Sequence, residues 1–83
     1  MISYYELDFD DGYGMVIKGT ECPTIHEAEE FVRRDLMGAH ITNVTPIDEN
    51  EARCFYDFSN EEKWPIFKKY THEWFVGVKT RRR

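Results

Sequence analysis

Residues 3–19 read SYYELDFDDGYGMVIKG, and the division of this stretch decides the fold. Tyr5, Leu7 and Phe9 alternate with Tyr4, Glu6 and Asp8, a period of two that predicts a half-buried strand. Beyond Asp10-Asp11-Gly12, the run YGMVIKG at residues 13–19 is rich in β-formers and predicts the returning strand. Asp-Gly between two such runs is a strong hairpin signal, because a tight turn needs positive φ and glycine supplies it at no steric cost. Three carboxylates beside glycines also invite comparison with the calcium loop D-x-[DN]-x-[DN]-G. That register fails. With Gly12 at the invariant glycine, the two earlier ligand positions hold Phe9 and Leu7, and Lys18 stands where the closing Glu belongs.

Working outward, the period changes at residues 21–38, ECPTIHEAEEFVRRDLMG. Ile25, Ala28, Phe31, Val32 and Leu36 fall three to four apart and form one apolar stripe, the clearest helix in the chain. Thr24 and Glu27 stand at capping-box spacing, and Gly38 can provide the left-handed stop. On the outer face, Glu29 with Arg33 and Glu30 with Arg34 are at i,i+4 ion-pair spacing. Residues 39–47, AHITNVTPI, are β-branched and predict a third strand ending near Pro46. DENE at 48–51 reads as a turn. Residues 52–58, ARCFYDF, alternate and predict a fourth strand, with Cys54 on its apolar side. Residues 59–70 read as a short helix or a loop, since Pro65 allows little helix beyond a first turn. HEWFVGVK at 72–79 predicts a last strand, and the basic tail at 79–83 is expected to fray. The expectation is one α+β domain over residues 1–83, in the order β-β-α-β-β with a final β: an antiparallel sheet of four to five strands and one covering helix.

A chain of 83 residues leaves only about 60–65% of its unfolded surface to be buried, so its thirteen aromatic rings must supply much of the core. No apolar run is long enough for a membrane span and no basic-then-apolar leader is present, which with only two cysteines, Cys22 and Cys54, predicts a reduced, cytoplasmic protein. The net charge of −5 conceals a division. Residues 1–62 hold 4 Lys/Arg against 15 Asp/Glu, a net of −11, whereas residues 63–83 hold 7 against 1, a net of +6. An acidic body repels nucleic acid at long range and attracts basic surfaces.

Candidate chemistry is sparse. Cys22 precedes a helix N-terminus, where the dipole lowers a thiol pKa, but no base with an orienting third group accompanies it. Cys22, His26, His40, Cys54 and His72 lack the paired spacing of a zinc site. Neither catalytic residues nor a metal or other cofactor is expected. The tail, with Lys68, Lys69, Trp64 and Trp74, offers a nucleic-acid patch as an alternative, which the −11 body opposes.

The succession YELDFDDGYGMVIKG, TIHEAEEFVRRDL and ITNVTPIDENEARCFYDF resembles small phage and mobile-element proteins, among them anti-CRISPR proteins similar in size, acidity and element order. The resemblance implies a non-catalytic inhibitor acting in the host cytoplasm, which blocks a basic nucleic-acid groove or a subunit contact of a CRISPR effector or another nucleic-acid-handling protein. It carries no site residue over. The acidity itself nominates Asp8, Asp10, Asp11, Glu27, Glu29 and Glu30, with Asp48, Glu49 and Glu51, as the partner-binding face. The first half is also similar to the HicB-type antitoxins, which neutralise a small RNase. In this chain KGTECPT replaces their proline- and glycine-bearing segment, and no DNA-binding module follows at 59–83.

Overall fold

The computed structural model describes residues 1–81. The hairpin forms as its turn chemistry requires: β1 (Ser3–Phe9) and β2 (Tyr13–Gly19) pair antiparallel from Ser3 with Gly19 to Asp8 with Gly14. Gly12 takes φ +84°, and the Asp11 carboxylate accepts the Tyr13 backbone N–H at 3.0 Å, closing the corner from within. The chain then rises into α1 (Ile25–Phe31) through the expected capping box, in which Thr24 and Glu27 satisfy each other's backbone N–H groups.

The single helix expected over residues 24–37 is broken. At Val32 the backbone moves to φ −113°, ψ 21°, and a four-residue segment α2 (Arg33–Leu36) follows before Met37 and Gly38 turn left-handed. Val32 itself is fully buried, and the break removes the register that would align Glu29 and Glu30 with Arg33 and Arg34. β3 (Ile41–Ile47) pairs antiparallel with β1, so β2, α1 and β3 form a crossover with β1 running between the two parallel strands. Pro46 lies inside β3 and is tolerated because β3 is an edge strand.

Residues 52–58 are not a strand. Asp48 accepts the Asn50 backbone N–H and caps the helix α3 (Glu49–Phe55), with Glu49 and Glu51 in its acidic first turn and Arg53 in its last. Ala52 and Tyr56 are buried as expected, but Cys54 is exposed, because a helix turns it away from the sheet. A 3₁₀ turn (Glu61–Lys63) leads through Pro65 to β4 (Ile66–Lys69), which turns at Tyr70 and pairs with β5 (His72–Val76). The tail does not fray at Thr80–Arg81. This pair forms β6 against Tyr13 and Gly14 of β2, one residue out of register with β5, so that β5 and β6 are one strand bent by a bulge. Arg82 and Arg83, where the rest of the expected fraying falls, lie outside the described residues.

The six-stranded sheet has the order β3-β1-β2-β5-β4, with β6 beside β2. It is covered on both faces rather than one. Tyr5, Leu7, Phe9, Met15, Ile17, Trp74 and Val76 pack under α1 and α2 with Ala28 and Val32. Val16 points the other way and packs with Ala52, Tyr56 and Trp64 beneath α3 and the following loop. No helix among the described residues is long and apolar enough to cross a membrane.

Candidate functional site: the carboxylate-bearing end of the sheet

The turn between β1 and β2 carries its acids into contact with the loop that enters β3. Asp10 and His40 bond twice, the Asp10 N–H donating to the His40 carbonyl and the His40 N–H to the Asp10 Oδ1, both at 3.0 Å. Next to them, the Ile41 N–H donates to Glu29 Oε2 at 3.1 Å, and the exposed His40 ring brings Nδ1 within 3.7 Å of the same oxygen. Thr42 Oγ1 donates to the Asp8 carbonyl at 3.2 Å. Asp8, Asp10, Asp11 and Glu29 thus share one end of the sheet. Two of their carboxylates are clamped by backbone N–H groups, those of His40 and Ile41, close to a bulge where the β1–β3 register shifts between Asp8 and Phe9.

Asp11 has a second partner. Lys79 Nζ lies 3.2 Å from its Oδ2, donates to the Asp35 carbonyl at the end of α2 at 2.6 Å, and sits over the rings of Phe9 and Tyr13. Burial works to raise the Asp11 pKa, and the Tyr13 N–H and the Lys79 ammonium outweigh it, holding the carboxyl below its usual value.

The remaining nominated acids are elsewhere. Glu27 serves the cap of α1, and Glu30 faces β4, where its Oε1 is 3.1 Å from Lys69 Nζ and the hydrogen bond raises the lysine pKa. Asp48, Glu49 and Glu51 ride on α3, on the opposite face of the sheet. There Glu49, Arg53, Glu61 and Lys18 form a ladder of ion pairs at 2.9, 3.1 and 2.8 Å that ties α3 and the 3₁₀ turn to β2. The Lys18 hydrogen bond, aided by Arg53, holds the Glu61 pKa down against burial. Glu51 borders a cleft of about 240 Å³ with Glu6, Ile47, Phe55, Tyr56 and Arg81, in which the Tyr56 hydroxyl donates to Glu6 Oε2 at 2.7 Å. The nine acids are therefore not one surface: Asp8, Asp10, Asp11 and Glu29 lie at the sheet end, Asp48, Glu49 and Glu51 on α3, Glu27 is held in the cap of α1 and Glu30 is turned towards β4. The sequence offered no sign of the Lys18–Glu61 contact, which spans 43 positions.

Trp64 and Trp74 are 5% and 1% exposed, so neither ring is presented for stacking on a base. The Cys22 thiol lies 3.6 Å from the Pro23 carbonyl, and partial burial pushes its pKa up rather than down. The helix beyond it has only seven residues, too short for a strong terminal dipole. Among the described residues no three His, Cys, Asp or Glu side chains converge as metal ligands. No protein-family model, curated protein or solved structure matches the chain.

Proposed function

We propose that this chain is a non-catalytic protein-binding domain that acts as a stoichiometric inhibitor. The acids at the sheet end, Asp8, Asp10, Asp11 and Glu29, engage a basic surface of the partner, of the kind the anti-CRISPR resemblance implies: a Lys/Arg groove that otherwise holds nucleic acid. The observation that carries this reading is the clamping of Asp10 and Glu29 by the His40 and Ile41 N–H groups. A carboxylate that accepts one N–H keeps its full charge and has lone pairs left for a partner's lysine or arginine. Its side chain is already ordered, so binding loses little rotamer entropy. His40 beside Glu29 adds a donor at the rim.

The test uses Asp10→Asn with Glu29→Gln, which removes two charges while keeping an oxygen for each backbone donor. Partners are captured from a lysate of the source cell and identified by mass spectrometry, and the affinity of each is then measured at two salt concentrations. The double variant is expected to bind about tenfold more weakly and with a shallower salt dependence. Unchanged affinity for every captured partner refutes the proposal. Capture of a small basic RNase encoded beside this chain would favour the antitoxin reading instead.

A further inference from the structure

A second surface, of different character, adjoins the sheet end through Lys79, which lines it and pairs with Asp11. β4 begins at Ile66, paired with Phe75, and the Val76 N–H still reaches the Pro65 carbonyl at 2.9 Å. Past that point no strand among the described residues lies beside the outer edge of residues 77–81, because β6 pairs only with β2. α1 and α2 overhang this missing quadrant of sheet. The result is an open groove of about 880 Å³ whose lining includes Phe31, Arg33, Arg34, Phe67, Val76 and Val78.

Its floor is aromatic. The Phe31 ring is 4.5 Å from Phe67 and 4.5 Å from Trp74, and both phenylalanines are half-buried where they meet the groove. Its rim is cationic. Arg33 and Arg34 are exposed and have no carboxylate at ion-pair distance among the described residues, because Glu29 and Glu30 have turned to Ile41 and Lys69. The other charges in the groove are engaged: Glu30 with Lys69, and Lys79 with Asp11 and the Asp35 carbonyl. Of the two acids that line the groove, Glu30 and Asp35, Asp35 is the one whose carboxylate makes no ion pair among the described residues.

We infer that this groove binds an extended acidic peptide of a partner protein. The peptide backbone adds as a strand along residues 77–81, an apolar side chain covers Phe31 and Phe67, and its carboxylates pair with Arg33 and Arg34. An edge with no neighbouring strand among the described residues supplies main-chain hydrogen bonds, with the Val78 carbonyl shared with the Thr80 hydroxyl, and the floor gives one-sided specificity for alternate residues. Planar guanidinium groups match carboxylates two bonds at a time, and arginine beside aromatic rings is the composition of binding hot spots. A peptide fits better than a nucleic acid, because the open edge presents main-chain N–H and C=O groups that pair with a peptide backbone and not with a phosphate backbone. This surface differs from the sheet end in place and in sign, so either can fail without the other.

The experiment selects random displayed peptides on the full chain and measures binding of the selected ones by fluorescence anisotropy. Selection is expected to enrich peptides that alternate acidic and apolar residues. Arg33→Glu with Arg34→Glu is expected to weaken them about tenfold while leaving the far-UV circular dichroism and thermal midpoint unchanged. Asp10→Asn with Glu29→Gln should leave peptide binding intact. Failure to enrich any such peptide, or binding undiminished by the arginine reversals, overturns the inference. So does a concentration-dependent dimer in sedimentation that the same reversals dissolve, since that assigns the groove to a second copy of the chain.

Discussion

Gly19 faces Trp74 across the β2–β5 ladder, and replacing it with alanine tests the packing of the larger core. Its φ is not in the left-handed region, so the backbone accepts alanine. The space does not. An added Cβ would stand 2.6 Å from Trp74 Cδ1 and 2.8 Å from the Glu73 carbonyl. The indole cannot swing away cheaply: it is 1% exposed, stacked on Phe31 at 4.5 Å, and held by an Nε1–H donated to the Glu21 carbonyl at 2.8 Å. Forcing a methyl group into such a site costs about 1–3 kcal/mol. Losing the indole hydrogen bond adds about 1 kcal/mol. The reduced entropy of the unfolded chain returns about 0.4–1 kcal/mol. The net is a destabilisation of about 2 kcal/mol, which for a domain of this size lowers the thermal midpoint by about 8–16 °C. Thermal unfolding followed by circular dichroism, with tryptophan emission shifting to the red in the folded variant, reads both effects. A midpoint within about 2 °C of the parent would refute the reasoning, since it would mean that Trp74 is not packed over Gly19.

Asp48→Ala should cost about 1 kcal/mol in urea unfolding through loss of the α3 cap, whereas Asn60→Ala, which caps nothing with its side chain, should cost little. Glu61 has a folded pKa below its ordinary 4.5, so its contribution is full above that value and is lost as pH falls through the lower folded one. Glu61→Gln should therefore flatten the loss of stability on acidification while being less stable at neutral pH, and an unaltered pH profile would contradict the Lys18–Glu61–Arg53 ladder. In the native Cys22→Ser variant, Cys54 should react promptly with an aromatic disulfide reagent, because α3 leaves it exposed; a thiol protected until denaturant is added would restore the strand reading of residues 52–58.

The elements read correctly from the sequence are those whose cause is local. Asp11 and Gly12 specify the corner between β1 and β2 by turn chemistry within three residues, and Thr24 with Glu27 specify the start of α1. The misreading of α3 has an equally definite cause. Ala52 and Tyr56 are four apart, a spacing on one face of both a strand and a helix, so their burial cannot tell the two apart. Asp48 two residues before Asn50 was the deciding signal, a cap rather than a turn. The second covered face was also visible in outline: Gly14, Met15, Val16 and Ile17 are a continuous buried run, the pattern of a strand covered on both sides.

The candidate surface divides the same way. Composition and order establish an acidic body with a basic end, and the charge on each residue needs no fold to be known. Which carboxylates stand together is a matter of long-range contact. Glu29 could bond Arg33 one turn away or the Ile41 N–H across the loop, and the break at Val32 with an otherwise unsatisfied backbone donor selects the second. With Glu30 on Lys69, Arg33 and Arg34 then have no carboxylate at ion-pair distance among the described residues, and Glu29 stands with Asp10 on the consecutive N–H groups of Ile41 and His40. The sequence by itself determined the hairpin, the first helix and the sign of the charge, because each depends on neighbours in the chain. Only the tertiary structure decided the bent last strand and the grouping of the charges, because each depends on satisfying groups that lie far apart in sequence.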